Sequence, residues 1–174
     1  PTRRSSDLGL TEGQQATVRE LMQAMLIVSS NECALALAEY CAGSEAEFVR
    51  MMNGMAAKMG LTSAAFYNPH GLPSYLSGSV VTMVENHMSA EDMFRLSRVI
   101  LLKYPEIEDI TTIQEIWLDG LWATVYNTNQ LLDNMPDVFG LKTGTTDAAG
   151  KCLVSARKAV VDGREHTIVA VVLG

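Results

Sequence analysis

Apolar positions recur every three to four residues over roughly the first hundred positions and shift toward every second residue from about position 111. The first half therefore predicts helices and the second half strands. Thr17-Val18-Arg19-Glu20 has the form of a capping box, and Val18, Leu21, Met22, Met25 and Leu26 continue it as an apolar stripe. That helix should run to about Val28 and stop at Ser29-Ser30-Asn31, three residues that favour turns and caps. Cys33, Ala34, Leu35, Leu37 and Ala38 follow, apolar nearly all round, which predicts a centrally buried helix ended by Gly43. Ser44-Glu45-Ala46-Glu47 is another capping box and opens a third helix with Phe48, Met51, Met52, Met55 and Met59 along it, a stripe read as flexible core filler. Ser89-Ala90-Glu91-Asp92 caps a fourth helix to about Lys103, with Met93, Leu96, Val99 and Ile100 inward, closed by Tyr104-Pro105.

Between the third and fourth helices, residues 61–73 read as a loop with the turn punctuation Asn68-Pro69-His70-Gly71-Leu72-Pro73, and residues 74–88 as an irregular continuation of it. Residues 113–118 and 121–126 form a predicted hairpin around Asp119-Gly120, with Trp117 and Trp122 flanking the turn and read as packing residues. Gln130-Leu131-Leu132 reads as a short turn after Asn127-Thr128-Asn129. Residues 139–143 make a strand. Residues 151–160 and 164–173 make a second hairpin through Asp162-Gly163. The run from Thr167 to Leu173 is continuously apolar, the pattern of a central, covered strand. Helices first and antiparallel strands afterwards give an α+β fold, a helical cluster packed on an antiparallel sheet.

Composition adds little and excludes some classes. A chain of 174 residues with 48% hydrophobic and 19% charged residues suits one soluble globular domain. A net charge of −7 with no basic stripe argues against nucleic acid as a partner. No apolar run reaches the ~20 residues of a membrane span, so any membrane association would come through segments outside this sequence. Cys33 and Cys41 sit ~12 Å apart on one helix, too far for a disulfide. With Cys152 they read as small apolar thiols, and no cysteine or histidine spacing suits a metal. His70 and His87 read as structural or loop residues. Residues 1–8, Pro-Thr-Arg-Arg-Ser-Ser-Asp-Leu, are basic and aperiodic and resemble translated adapter sequence. The expectation is a non-native scar over 1–8, with a disordered native terminus as the alternative, and a partial catalytic domain over 9–174.

The candidate chemistry lies in two short motifs. In Gly140-Leu141-Lys142-Thr143-Gly144-Thr145-Thr146 a lysine and hydroxyls at a strand edge would hold a carboxylate, and Gly144 would let a ligand backbone lie close. Ser29-x-Asn31 at a helix junction offers a hydroxyl–amide pair able to relay protons and hold an amide. Each has a plainer reading: a solvated lysine ending a surface strand, and an N-cap. Their order resembles the penicillin-recognising serine enzymes, which carry Ser-x-Asn before Lys-Thr-Gly. Several stretches, taken in sequence, resemble the D-alanyl-D-alanine carboxypeptidases in particular. They are the text from Thr17 through Gly43, Phe48 to Asn53, Asn68-Pro69-His70-Gly71-Leu72, Ser89 to Met93, Asn127-Thr128-Asn129-x-Leu131-Leu132, and Gly140 to Gly150.

The resemblance implies a β-lactamase/transpeptidase-like fold and a serine-type hydrolase of peptidoglycan maturation. Its substrate would be a stem peptide ending in D-Ala-D-Ala, cleaved through an acyl-serine, with β-lactams as inhibitors of the intact enzyme. It also implies an extracytoplasmic site and no metal or organic cofactor. Carried onto this sequence, Ser29 and Asn31 serve proton relay and positioning, Lys142, Thr143 and Gly144 bind substrate, and the Thr145 N–H forms part of an oxyanion hole. The family's nucleophile lies in a Ser-x-x-Lys motif upstream of Ser-x-Asn. Here only Ser155-Ala156-Arg157-Lys158 fits those letters. It follows Lys-Thr-Gly and falls in a predicted strand, where positions three apart face opposite ways. The expectation is therefore an incomplete fold whose missing segment lies upstream of Gly9, a chain unable to form an acyl-enzyme, and a last strand left with an open apolar edge. A serine β-lactamase relative and a non-catalytic wall-binding module are the rival readings.

Overall fold

The structure, a computed structural model, describes residues 7–76 and 81–174. The sequence expectations for 1–6 and 77–80 lie outside the described residues. Helix α1 spans Val18–Ile27 and starts in the predicted capping box. Thr17 Oγ1 accepts from Glu20 N at 3.2 Å while Glu20 Oε2 accepts from Thr17 N at 2.8 Å. Helix α2, Asn31–Ala42, begins one residue after its N-cap Ser30 and ends at Gly43, whose φ of 78° is the left-handed value that glycine adopts freely. Helix α3, Glu45–Lys58, is capped by Ser44, but Glu47 pairs with Arg50 instead of closing the box. Strands β1 (Ser74–Leu76) and β2 (Thr82–Val84) pair antiparallel, and an isolated bridge joins Ala65 to His87. The 74–88 tract, expected to be irregular, thus holds a small hairpin, too short for its alternation to register.

Helix α4 (Ala90–Lys103) and the one-turn α5 (Glu108–Thr111) follow. Strands β3 (Glu115–Leu118) and β4 (Ala123–Tyr126) form the predicted hairpin through a 3-10 turn at Asp119–Leu121. The short helix α6 (Leu131–Asn134) leads into a three-stranded antiparallel sheet ordered β5 (Val138–Thr146), β6 (Gly150–Val161), β7 (Arg164–Val172). The β6–β7 turn has positive φ at both Asp162 and Gly163, which matches the twist of the strands it joins.

Helix α1 is the hub and packs against α2, α5, β4 and β5. Its Ala24, Ile27 and Val28 meet Cys33, Ile110, Leu118, Leu121 and Val125 in one core. Ile27 and Leu118 are essentially inaccessible, each burial worth roughly 1.5–3 kcal/mol.

The buried face of α1 differs from the predicted stripe. Ala24, Ile27 and the polar Gln23 are inside, Leu21, Met22, Met25 and Leu26 are half-buried, and Val18 is exposed. Small and polar residues fill the closest approach of the neighbouring elements, and hydropathy alone passes over them. Helix α2 buries one face only, through Cys33, Ala34, Leu37 and Ala38, and leaves Tyr40 and Cys41 exposed. The α3 methionines are not core filler. Met51 and Met55 are exposed and, with Phe48, Met52, Met59 and Leu96, line an open apolar cavity of about 320 Å³. Trp117 and Trp122 do not pack either; they are 52% and 81% exposed. Among the described residues, β7 is an edge strand with mostly exposed side chains, not the covered central strand expected from the apolar run of 167–173.

Candidate active site

The sequence Leu-Ile-Val-Ser-Ser-Asn cannot continue as one helix and does not need to. Val28 ends α1, Ser29 adopts a left-handed φ of 64°, and Ser30 restarts the chain as the N-cap of α2. Ser30 Oγ accepts from Cys33 N at 3.3 Å and is 1% exposed, so the second serine is structural. A non-glycine residue in that conformation costs about 1 kcal/mol or more, and such strain clusters where side-chain direction matters. Here it turns the Ser29 hydroxyl outward from the junction. Asn31, the first residue of α2, lines the same hollow.

The other wall is β5. Its pairing with β6 slips between Gly140 and Lys142: Gly140 faces Ser155 and Lys142 faces Val154, so Leu141 is a bulge. Partners adjacent on β6 lie on opposite faces, so Lys142 points away from the face shared by Gly140 and Thr143. Strict alternation would have placed Lys142 with Gly140. The bulge delivers the ammonium to α1 instead: Lys142 Nζ donates to Ser29 Oγ at 2.7 Å and to its neighbour's carbonyl, Thr143 O, at 2.6 Å. An ammonium has three hydrogens, so one remains for a ligand. Burial pushes the Lys142 ammonium down to about 8, which keeps it mostly charged at neutral pH and able to give up a proton nearby.

These residues, with Met25, Leu26, Ala34, Pro69 and His70, line a hollow of about 230 Å³. His70, read from sequence as a loop residue, thus belongs to the wall. Its Nδ1 accepts from Leu72 N at 3.2 Å, and burial lowers its pKa below the ordinary 6.5, so the ring is neutral at pH 7. The loop is shaped by Asn68, 1% exposed, which accepts from His70 N and Gly71 N and donates to Leu72 O at 2.6 Å. No short motif flags that asparagine, but the turn-rich Asn-Pro-His-Gly text around it does.

Gly144 and Thr145 extend β5 past Lys142 and are both exposed. A Cβ placed on Gly144 would meet nothing within 4 Å, so the glycine answers no need of the ligand-free fold. Strand β5 is an edge of its sheet, with one side of its backbone turned away from β6. Thr128 closes the remaining side: its hydroxyl touches that of Thr143, and its N–H donates to Ile27 O at 3.1 Å. Sequence reasoning gave this threonine no role. The Ser155-to-Lys158 match lies along β6. Ser155 is buried in β6, while Lys158 bonds Glu108 Oε2 at 2.9 Å and lies over the Phe139 ring.

The sequence profile of the D-alanyl-D-alanine carboxypeptidases, peptidase family S11, matches residues 2–174. The carboxypeptidase DacF of Bacillus subtilis is 36% identical over 158 residues, which cover 88% of this chain and 38% of that protein. Among solved structures, a peptidoglycan synthesis regulatory factor, PBP3, of Streptococcus pneumoniae superposes with a TM-score of 0.80 at 35% identity, over 98% of this chain and 56% of that one. The ampicillin-bound penicillin-binding protein D2 of Listeria monocytogenes gives 0.73 at 30% identity, over 90% and 59%. The chain thus spans under two thirds of each relative, and its α+β architecture is that of the corresponding part of their folds. A profile match over nearly every residue and a shared fold at this level of identity place the chain in the D-alanyl-D-alanine carboxypeptidase family.

Proposed function

We infer that this chain carries the Ser-x-Asn and Lys-Thr-Gly half of a serine D-Ala-D-Ala carboxypeptidase site. The observation that carries the reading is the 2.7 Å contact between Lys142 Nζ and Ser29 Oγ, two residues 113 positions apart whose side chains meet in an otherwise mostly apolar hollow. In this reading the C-terminal D-Ala-D-Ala of a peptidoglycan stem peptide lies along the free edge of β5. Lys142 and the Thr143 hydroxyl hold its carboxylate, Gly144 gives the backbone room, and Asn31 holds the substrate amide. The serine nucleophile attacks the carbonyl between the two D-alanines, and the Thr145 N–H faces the oxygen that becomes negative. The lysine of the Ser-x-x-Lys segment takes the proton of the attacking hydroxyl, and that proton passes through Lys142 to Ser29, which hands it to the departing amine nitrogen, so Lys142 ends as charged as it began; its low pKa suits the relay. D-Alanine leaves, and water then hydrolyses the acyl-serine.

The nucleophile and its lysine would come from a Ser-x-x-Lys segment outside these 174 residues, and the whole enzyme would work where peptidoglycan is, outside the cytoplasmic membrane. Alone, the chain would take no covalent label from a penicillin. The test is to read the native gene upstream of the Gly9 codon, express the continuous frame, and assay D-alanine release from a D-Ala-D-Ala peptide. A Ser-x-x-Lys segment whose serine is required, with activity lost in Lys142→Ala, supports the reading. A frame that opens without such a serine overturns it in favour of a non-catalytic wall-binding role. Fast turnover of a β-lactam by the same protein favours a β-lactamase instead.

A further inference from the structure

Thr128 stands between the two halves of the site and touches both. Its N–H and its hydroxyl both reach Ile27 O, at 3.1 and 3.3 Å, on the last residue of α1 and two before Ser29. The same hydroxyl contacts that of Thr143 on β5. A threonine hydroxyl has one hydrogen to give, while a backbone carbonyl only accepts. Two arrangements of the hydrogens are therefore possible with no heavy atom moving. If Thr128 gives its hydrogen to Ile27 O, Thr143 must give its own to Thr128, and none is left for a ligand. If Thr128 gives its hydrogen to Thr143, the Thr143 hydrogen is freed for a ligand at the β5 edge, and Ile27 O is still served by the Thr128 N–H.

We propose that Thr128 is a positioning residue that sets the direction of the Thr143 hydroxyl: turned in toward Thr128 when the site is empty, and turned out as a donor when an anionic group arrives. An anion is what selects the second arrangement, since a carboxylate accepts a hydrogen far better than the peptide carbonyl that gives it up. The chemical class of ligand is a terminal carboxylate, and the proposal rests on the reading of Thr143 as its donor. It adds a hydroxyl relay that reaches from the end of α1 to the ligand. Thr128 is exposed and contributes nothing to the core, so it can be altered without emptying a buried site.

The test compares two peptides, one ending in D-Ala-D-Ala as a free carboxylate and one as its C-terminal amide. Each is titrated against the 174-residue chain and its Thr128→Val and Thr128→Ser variants. Thr128→Val should weaken the carboxylate peptide about fivefold, the worth of one net hydrogen bond, and leave the amide peptide unchanged. Thr128→Ser should bind both peptides as the parent does. Equal losses on both peptides in Thr128→Val would show a merely structural role and overturn the proposal, as would no loss on either. Three-bond couplings between the Thr143 hydroxyl hydrogen and its Hβ, measured without peptide, give an independent reading. One hydroxyl direction is expected in the parent and Thr128→Ser, and averaging in Thr128→Val; a fixed hydroxyl direction in Thr128→Val contradicts the proposal. If the parent binds neither peptide, the carboxylate reading of the site falls, and the couplings still decide whether Thr128 orients Thr143.

Discussion

Gly140→Ala should disturb this chain more than its chemistry suggests. Gly140 has no need of a left-handed conformation; its constraint is space. A Cβ there would lie 1.7 Å from Asn129 Nδ2 and 2.9 Å from its Cγ, so the asparagine would have to retreat by well over an ångström. Asn129 is 5% exposed and cannot retreat freely: its N–H donates to Asn127 Oδ1 at 2.9 Å and its Oδ1 accepts from Leu131 N at 3.2 Å. Overpacking of this kind costs about 1–3 kcal/mol, and a lost cap bond adds roughly 0.5–1.5. The expected total is about 2–4 kcal/mol, or a fall in melting temperature of roughly 5–15 °C for a domain of this size. Asn129→Ala removes the obstacle. It also removes a buried side-chain nitrogen that has no hydrogen-bond partner among the described residues. Adding Gly140→Ala to Asn129→Ala should then cost almost nothing, a coupling energy of about 2 kcal/mol or more from a double-mutant cycle in urea. If Gly140→Ala costs under about 0.5 kcal/mol, or costs the same in both backgrounds, the packing argument is wrong. The same displacement would carry Thr128 away from Thr143, so the variant should also weaken carboxylate binding.

Gly144→Ala makes the opposite case. Its Cβ would enter open space, so stability should stay within about 0.5 kcal/mol while peptide binding is lost; unchanged binding would remove the ligand from the β5 edge. Ser29→Gly relieves a left-handed serine and should be neutral or up to about 1 kcal/mol more stable by urea unfolding, yet it deletes the Lys142 partner; a clear loss of stability would show that the contact outweighs the strain. Folded Lys142 should titrate near pH 8, and the unfolded side chain near the ordinary 10.5. Between those values the unfolded state holds more protons, so stability should rise with pH, on the order of 1–2 kcal/mol after allowance for partial exposure. The difference in unfolding free energy between the parent and Lys142→Met, followed from pH 7 to 10.5, isolates that slope, and a flat difference contradicts it.

The local signals were readable where one residue decides the structure. Thr17 and Glu20 close their capping box, Gly43 ends α2, and Asp162-Gly163 turns β6 into β7. What escaped needed the neighbours. The α1 face is chosen by how closely β4 and α5 approach, which favours Ala24 over Met22. The α3 methionines, the two tryptophans and β7 carry apolar side chains that border solvent in these 174 residues, and no periodicity reveals what an apolar face meets. In the candidate site, Ser29, Asn31 and Lys142 came from motif order, and the structure brings their side chains to one hollow. Thr143, Gly144 and Thr145 follow along the same strand. The Leu141 bulge that aims Lys142, and the contacts of Thr128 and His70, come from pairing register and from loops that no spacing rule encodes.

The most direct measurement is the amide chemical-shift footprint of a stem peptide ending in D-Ala-D-Ala on the 174-residue chain, repeated with Lys142→Ala. The account predicts saturable shifts centred on Ser29, Asn31, Gly144 and Thr145, abolished or strongly weakened by the substitution. Shifts absent, scattered over the α3 cavity, or unchanged without Lys142 would mean that the contact between Ser29 and Lys142 is structural and that the site does not bind this substrate.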